Sequence, residues 1–126
     1  MKLRIHGKAL RLRLNQAEVA QFSKTGFIEE AIEFGAGARL AFSLESLSDL
    51  DTPQALYQNG WLRIQIPAAQ ATEWVTSDLV GIGGEQLLSA GKHLSILVEK
   101  DFQCVHSPDP DPSAYPNPLN ESARQD

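Results

Sequence analysis

Disulfide bonds, long apolar runs and an excess of positive charge are all missing from this sequence of 126 residues. The single cysteine, Cys104, cannot close an internal disulfide, so the fold must depend on its core, as is usual in the reducing cytoplasm. No run of about 18 apolar residues is present, and residues 2–7 alternate polar and apolar side chains instead of forming a signal-peptide core. We therefore expect a cytoplasmic protein without a membrane partner. The net charge of -5 argues against general nucleic-acid binding.

The composition suits one folded domain followed by a tail. Hydrophobic residues make up 42% of the chain, and a domain of this size buries about two thirds of its unfolded surface. Residues 105–126 differ, because proline and aspartate alternate at 108–112 and large apolar residues nearly vanish. We predict one domain at residues 1–104 and a flexible, extended tail at residues 105–126. Only Tyr115 and Leu119 could dock this tail onto the domain.

The first half of the domain predicts two hairpins with a helix between them. Apolar and charged residues alternate through residues 2–14 on either side of a glycine turn. Asn15 followed by Glu18 is a capping-box pattern at the start of a helix, and Gly26 is a typical left-handed cap at its end. Alternation returns through residues 27–45, again around a glycine turn, so the order is ββαββ.

The second half predicts the same order after a polar joint at residues 46–53. Asn59-Gly60 is the strongest hairpin signal in the chain, since both positions of such a turn need a positive φ. Pro67 can occupy the first position of a short helix. Gly83-Gly84 suggests a bulge in the next strand, and the last strand begins near Leu94 and ends near Phe102 or Cys104.

The two halves can be laid on each other with an offset of 52 residues, which places Leu10 on Leu62 and Phe22 on Trp74, if two extra residues are assigned to the final turn. Two helices that reach roughly 15 Å each are too short to cover eight strands, so the apolar faces must mostly cover one another. We predict an α+β fold: a pseudo-duplicated ββαββ-ββαββ chain that forms an eight-stranded antiparallel barrel or sandwich, with two short helices and an extended C-terminal tail.

Several segments together carry a resemblance to a known family. They are Lys2-Leu3-Arg4-Ile5, Leu10-Arg11-Leu12-Arg13-Leu14, Gln16, Glu18-Val19, Gly26 to Gly35, Ser77-Asp78, Val80-Gly81-Ile82, Ile96 to Phe102, Cys104 and Tyr115-Pro116-Asn117-Pro118. These segments are similar to a family of small bacterial proteins known only as a domain of unknown function. The resemblance spans residue 2 to about residue 118 and implies one intact domain with its tail. It implies no reaction, cofactor or site.

A row of basic residues on the first hairpin is the first candidate site. Arginine suits phosphate and carboxylate groups, because its planar fork donates two parallel hydrogen bonds. Like charges that face each other across a hairpin are destabilising unless carboxylates neutralise them. The basic residues are Lys2, Arg4, Arg11 and Arg13, with His6 beside them and Arg63 in the corresponding place of the second half. The carboxylates that could neutralise them are Glu29, Glu33, Glu45, Glu99 and Asp101.

This row has two interpretations. The simpler one is a solvated sheet face with exposed ion pairs that contribute about 0–1 kcal/mol each. The other is an anion-binding surface made by Arg4, Arg11, Arg13 and Arg63. An RNA ligand is disfavoured, because the basic strands lack interleaved aromatic residues on which bases could stack.

A metal site is the second candidate. Cys104 and His106 would project to the same side of an extended segment, and Asp101 could join them as a third ligand. Structural zinc normally needs four ligands, and no second cysteine exists in the sequence. A free reduced thiol at the end of the last strand is the simpler interpretation.

Motifs for catalysis and cofactor binding are missing. Gly81-Ile82-Gly83-Gly84 is followed by Glu85 and not by the lysine of a phosphate-binding loop. Neither a nucleophile elbow nor a zinc-protease motif occurs, so we expect no cofactor. The element order resembles that of the triphosphate tunnel enzymes, whose charged barrel interiors hold metal and polyphosphate. Their Glu-x-Glu-x-Lys strand is missing here, and the aliphatic residues predict a filled interior.

The sequence therefore favours a non-catalytic module that binds a protein partner through its polar sheet face and its tail, where Tyr115-Pro116-Asn117-Pro118 forms an extended motif. The alternative is a barrel that binds a small anionic or phosphate ligand, including a phosphohydrolase of the triphosphate-tunnel type. A homodimer would protect the edges of an incompletely closed sheet.

Overall fold

The computed structural model describes residues 1–102 and Tyr115, which form eight strands and two α-helices. The strands are β1 (Lys2–His6), β2 (Ala9–Leu14), β3 (Phe27–Gly35), β4 (Ala38–Leu47), β5 (Gln54–Gln58), β6 (Trp61–Pro67), β7 (Gly81–Leu87) and β8 (His93–Lys100), and the helices are α1 (Gln16–Thr25) and α2 (Ala68–Thr76). Their order confirms the predicted ββαββ-ββαββ chain of a mixed α+β protein. Within the described part of the chain, no helix has the length and apolar character that a membrane crossing requires.

The local signals for α1 and for the central hairpin turn are confirmed. The Asn15 side chain accepts a hydrogen bond from the Glu18 N–H, and the Glu18 carboxylate accepts one from the Asn15 N–H, both at 2.9 Å. Gly26 ends the helix with a φ of 73°. Asn59 and Gly60 have φ values of 54° and 74°, and a Cβ atom on Gly60 would lie only 2.8 Å from the Arg39 carbonyl oxygen.

The strands form two sheets of four, and each sheet combines strands from both halves of the chain. Sheet A has the order β1-β2-β8-β7, and sheet B has the order β3-β4-β6-β5. The central pairs β2–β8 and β4–β6 are parallel, so the prediction of an all-antiparallel arrangement is wrong. The hairpins themselves are antiparallel as predicted. The parallel pairs arise because the first hairpin of each half lies beside the second hairpin of the other half.

The two sheets face each other without closing into a barrel, so the barrel alternative is wrong and the packed sheets are confirmed. The edges of the two sheets meet along two lines, which we call the seams. Polar contacts bridge these seams in place of strand pairing. At the β1–β3 seam, the amino group of Met1 contacts the carboxylates of Glu18 and Glu30. At the β5–β7 seam, the Gln86 side-chain amide accepts a hydrogen bond from the Ala55 N–H at 2.8 Å and donates one to the Ala55 carbonyl oxygen at 3.2 Å.

The predicted bulge at Gly83-Gly84 is wrong, because β7 and β8 pair without a register shift. Gly84 is required by a close approach at the β5–β7 seam: a Cβ atom there would lie 2.8 Å from Pro53 Cδ. The irregularity lies in β3, between Glu33 and Gly35.

The two halves match in register as well as in order. Arg4 pairs with Arg11 on β1–β2, and Leu56 pairs with Arg63 on β5–β6, which confirms the offset of 52 for the first hairpins. Ile28 pairs with Leu44, and Ile82 pairs with Val98, which gives an offset of 54 for the second hairpins. The two extra residues therefore lie between α2 and β7, and the prediction that placed them in the final turn is wrong.

Both helices lie at one end of the two sheets, and all four hairpin turns lie at the other, which we call the hairpin end. Its turns comprise residues 7–8, 36–37, 59–60 and 88–92. At the helix end, Phe22 of α1 and Trp74 of α2 meet with ring centroids 6.2 Å apart. Between the sheets lies a core of aliphatic side chains, whose fully buried members are Leu12, Leu14, Leu44, Ile64, Ile66 and Val98.

Tyr115 is the one residue of the predicted tail that the structure describes. Its N–H donates to the Asp101 carbonyl oxygen at 2.8 Å, and its ring lies 5.7 Å from that of Phe102. Burial raises the pKa of its phenol. Tyr115, one of the two residues that could dock the tail, therefore contacts the domain, whereas Leu119 and the predicted boundary at residue 104 lie outside the described residues.

Candidate anion-binding site

The basic residues of the first hairpin share the outer face of sheet A. Lys2 is opposite Arg13, and Arg4 is opposite Arg11, while Leu3 and Leu12 turn toward the core. Successive side chains of a strand point to opposite faces, so the alternation in the sequence is sufficient to form this basic face. Arg63 lies on β6 of sheet B, so the structure brings Arg4, Arg11 and Arg13 together and separates Arg63 from them.

Two of the predicted carboxylates neutralise part of this basic face. Asp101 lies 2.8 Å from the Lys2 ammonium group. Glu99 holds two arginines with one oxygen, at 2.8 Å from Arg13 Nε and 3.3 Å from Arg11 Nε. Arg4 makes no ion pair among the described residues. Four cations thus share two carboxylates, and the excess of positive charge lies where Arg4 faces Arg11.

A pocket of about 360 Å³ opens beside these two arginines. Arg4, Arg11 and His6 provide its polar wall, while Ala9 and Leu97 provide apolar surface. A second depression of about 210 Å³ lies between Leu3 and the four cations, and it shares Arg4 and Arg11 with the first. The two guanidinium groups therefore border both hollows, with hydrogen-bond donors available on either side.

Sheet B fills the equivalent position with a tryptophan. The offset of 52 residues places Ala9 of β2 at the position of Trp61 on β6, and the neighbouring strands pair with them in the same register. Trp61 donates a hydrogen bond from Nε1 to Ser43 Oγ at 3.0 Å, and its ring lies 4.8 Å from the Arg63 guanidinium carbon. The corresponding surface of sheet A has only the methyl group of Ala9, which leaves the pocket open.

Charge neutralisation also distinguishes the two faces. Arg63, the counterpart of Arg11, donates two hydrogen bonds to Glu45, at 2.7 and 3.0 Å. Gln65 donates a third to the same carboxylate at 3.3 Å. Hydrogen bonding from Arg63 lowers the pKa of Glu45 in spite of its burial, and the same bonds raise the pKa of Arg63. Arg63 is therefore engaged within the fold, so we exclude this predicted residue from the candidate site.

The Glu45–Arg63 pair predicts a dependence of stability on pH. A carboxyl group with a lowered pKa in the folded state stabilises the fold above its unfolded pKa, and this contribution disappears as pH falls through the folded value. Glu45→Gln should therefore be less stable than the wild type at pH 7, and the difference should shrink as pH falls below about 4. Urea unfolding of both proteins between pH 7 and pH 3 measures this.

Glu73→Gln is the matched control for this prediction, because Glu73 is exposed on α2 and makes no ion pair among the described residues. It should unfold at nearly the wild-type urea concentration at pH 7. A stability difference between wild type and Glu45→Gln that stays constant down to pH 3 would contradict the assigned role of Glu45.

The predicted metal site is only partly within the described residues. Cys104 and His106 lie outside them, and Asp101 is buried and paired with Lys2. The described part of the chain contains no group of three or more His, Cys, Asp or Glu residues placed to hold a metal ion. The metal hypothesis for Asp101, Cys104 and His106 therefore stays a prediction.

The space between the sheets does not match that of a triphosphate tunnel enzyme. Such a tunnel needs charged interior side chains, whereas the interior here is filled with buried aliphatic residues. The arginines and their carboxylate partners lie on the outer faces of the sheets, so the phosphohydrolase alternative gains no support from the interior.

Comparison with known proteins finds a family model, described as a family of unknown function (DUF7009), which matches residues 1–119. No curated protein and no solved structure matches the chain.

Proposed function

The chain belongs to the DUF7009 family, and we propose that it is a non-catalytic binding module that holds an anionic group between Arg4 and Arg11. One observation carries this proposal: the outer face of sheet A has an open pocket and an incompletely neutralised arginine pair, whereas the equivalent position of sheet B has Trp61 and a single arginine, Arg63, that Glu45 neutralises.

Electrostatics favours an anion at this place. Two guanidinium groups on directly opposite residues of a hairpin repel each other, and Glu99 reaches only Arg11 of the two. A carboxylate or phosphate group between them would accept hydrogen bonds from both and would remove the repulsion. Arg11 can turn toward such a ligand without leaving Glu99 unpaired. Arg13 Nε lies 2.8 Å from the same Glu99 oxygen, closer than Arg11 Nε at 3.3 Å.

The volume and the lining residues of the pocket indicate what the ligand carries besides its anionic group. Its volume of about 360 Å³ lies at the lower end of the range of about 300–1,000 Å³ for small-molecule sites. Leu97 and Ala9 provide apolar surface next to the arginines. We therefore favour a small ligand that combines an anionic group with a compact apolar body. Such a concave site suits a small molecule better than the flat contact area of a protein partner.

Calorimetric titration tests the proposal with inorganic phosphate, phenyl phosphate and benzoate. The protein should bind the two phosphates more tightly than the singly charged benzoate, and phenyl phosphate more tightly than inorganic phosphate, because its ring covers Leu97 and Ala9. Arg4→Gln and Arg11→Gln should each weaken phenyl phosphate binding about tenfold or more. Higher ionic strength should weaken binding in the wild type.

Arg39→Gln is the matched control, because Arg39 is an exposed arginine on sheet B, 3.7 Å from Glu29. It should bind phenyl phosphate with the wild-type affinity. Arg4→Gln should also be at least as stable as the wild type without ligand, since it removes the repulsion with Arg11. Equal binding by the wild type and by both sheet A variants would show that the arginine pair is no anion site.

A further inference from the structure

The hairpin end exposes large apolar side chains that lie in line with the core. Ile5, Phe34 and Tyr57 are exposed to 67%, 66% and 66% of their surface, and Leu88 and Ile32 are also exposed. Ile5 and Tyr57 pair across their hairpins with Leu10 and Leu62, which belong to the interior face of each sheet. These residues therefore continue the apolar interior beyond the point where the sheets cover each other.

Two of these side chains lie at the ends of the strands that border each seam between the sheets. Met1 contacts Glu30 at the β1–β3 seam, and Ile5 and Phe34 each follow four residues later, toward the hairpin end. Pro53 approaches Gly84 at the β5–β7 seam, and Tyr57 and Leu88 each follow four residues later in the same direction. The offsets of 52 and 54 relate Ile5 to Tyr57 and Phe34 to Leu88.

The hairpin end is thus an apolar surface with approximate two-fold symmetry about its own normal. A second copy that docks face to face places an apolar pair over an apolar pair at both seams, so one patch is complementary to itself, as an isologous dimer requires. Five side chains that each expose on the order of 100 Å² provide, with the turns between them, most of the about 800 Å² that one partner buries in a standard interface.

Charge selects the orientation of the second copy. The turns of sheet A carry Lys8 and Lys92, whereas the turns of sheet B carry no charged residue and lie next to Glu33 and Arg39, which are directly opposite each other and offset each other's charge. Docking sheet A over sheet A would place lysines against lysines. Docking sheet A over sheet B avoids that repulsion, because the lysines then face a surface without net charge.

We infer that the protein forms a homodimer through its hairpin end, with Ile5 and Phe34 at one seam and Tyr57 and Leu88 at the other as the main apolar contacts, and with sheet A of each copy above sheet B of the other. This inference does not depend on the proposed anion site.

Sedimentation velocity of the full chain over a range of concentrations tests this interface. The wild type should sediment as a dimer at micromolar concentration, and Phe34→Glu and Tyr57→Glu should each weaken dimerisation at least 100-fold, because two carboxylates would be buried per dimer. Leu56→Glu is the matched control: Leu56 neighbours Tyr57 on β5 but lies on the outer face, exposed to 42%. This variant should remain dimeric.

Circular dichroism of each variant establishes that the fold is retained, as expected for substitutions at exposed positions. Because exposed residues can still affect folding, Phe34→Ser and Tyr57→Ser provide a milder pair that should also raise the dissociation constant at least tenfold. A wild type that stays monomeric at 100 micromolar protein (on the order of the highest concentration usable), or a dimer that survives both glutamate substitutions, would overturn the inference.

Discussion

Separate expression of the two halves, residues 1–51 and 52–126, should give two chains that do not fold as monomers, whereas a mixture of them should regain the spectrum of the intact protein. Each sheet takes two strands from each half, and its central pair joins them. A lone half would expose the backbone of β2 and β4, or of β6 and β8, along edges that the parallel partner normally covers. Separation of the halves would also divide the residues of the aliphatic core between two chains.

Far-UV circular dichroism and thermal unfolding of each half, alone and mixed at equal concentration, measure this. The intact chain cut between Asp51 and Thr52 is the control, since both residues are exposed in the joint. The cut chain should keep a cooperative unfolding transition. A half that unfolds cooperatively as a monomer would contradict the interleaved topology.

Trp74→Ala should produce the largest loss of stability among single substitutions, about 3–5 kcal/mol. Trp74 is fully buried at the helix end, where its ring meets Phe22 edge to face. Its Nε1 also donates to the Val80 carbonyl oxygen at 2.9 Å, which fixes the chain between α2 and β7. Removing the ring leaves a cavity between the two helices and the sheets. Urea unfolding measures the free-energy difference.

Trp61→Ala is the internal control for this substitution. Trp61 is half-buried on the outer face of sheet B and loses one hydrogen bond and its contact with Arg63. Its removal should reduce stability by only about 1–2 kcal/mol. Similar losses for the two tryptophans would mean that the packing of Phe22 and Trp74 does not hold the helix end together.

Local features of the fold could be predicted from the sequence because neighbouring residues determine them. The capping box at Asn15 and Glu18 and the turn at Asn59-Gly60 depend on a few adjacent side chains. Alternation determined which residues face the core. Of the five carboxylates proposed from the sequence, Glu99 and Asp101 neutralise the basic face. Glu45 pairs with Arg63 and Glu29 with Arg39, both on sheet B, and Glu33 makes no ion pair among the described residues.

The arrangement of the sheets could not be predicted in this way. Alternation shows which face of a strand is buried, but it does not identify the neighbouring strand, and β2 pairs with β8 across more than 80 residues. The antiparallel prediction failed for that reason. The common ancestry of the two halves stays a prediction, although their registers correspond.

The candidate site was predicted in part. Arg4 and Arg11 could be identified from the sequence, whereas the separation of Arg63 follows from the exchange of hairpins between the halves. The pocket itself depends on a small residue, Ala9, at the position of a large one, Trp61. This difference could have been found in the sequence, because the offset of 52 residues aligns Ala9 with Trp61.

The measurement that tests the anion site most directly is phenyl phosphate titration of Ala9→Trp. This substitution copies the tryptophan of sheet B into the equivalent position of sheet A, where it should fill the pocket of about 360 Å³ while leaving Arg4 and Arg11 in place. We expect an unfolding temperature close to that of the wild type and a loss of phenyl phosphate binding of at least tenfold. Wild-type affinity in a folded Ala9→Trp variant would contradict the assignment of this pocket as the binding site.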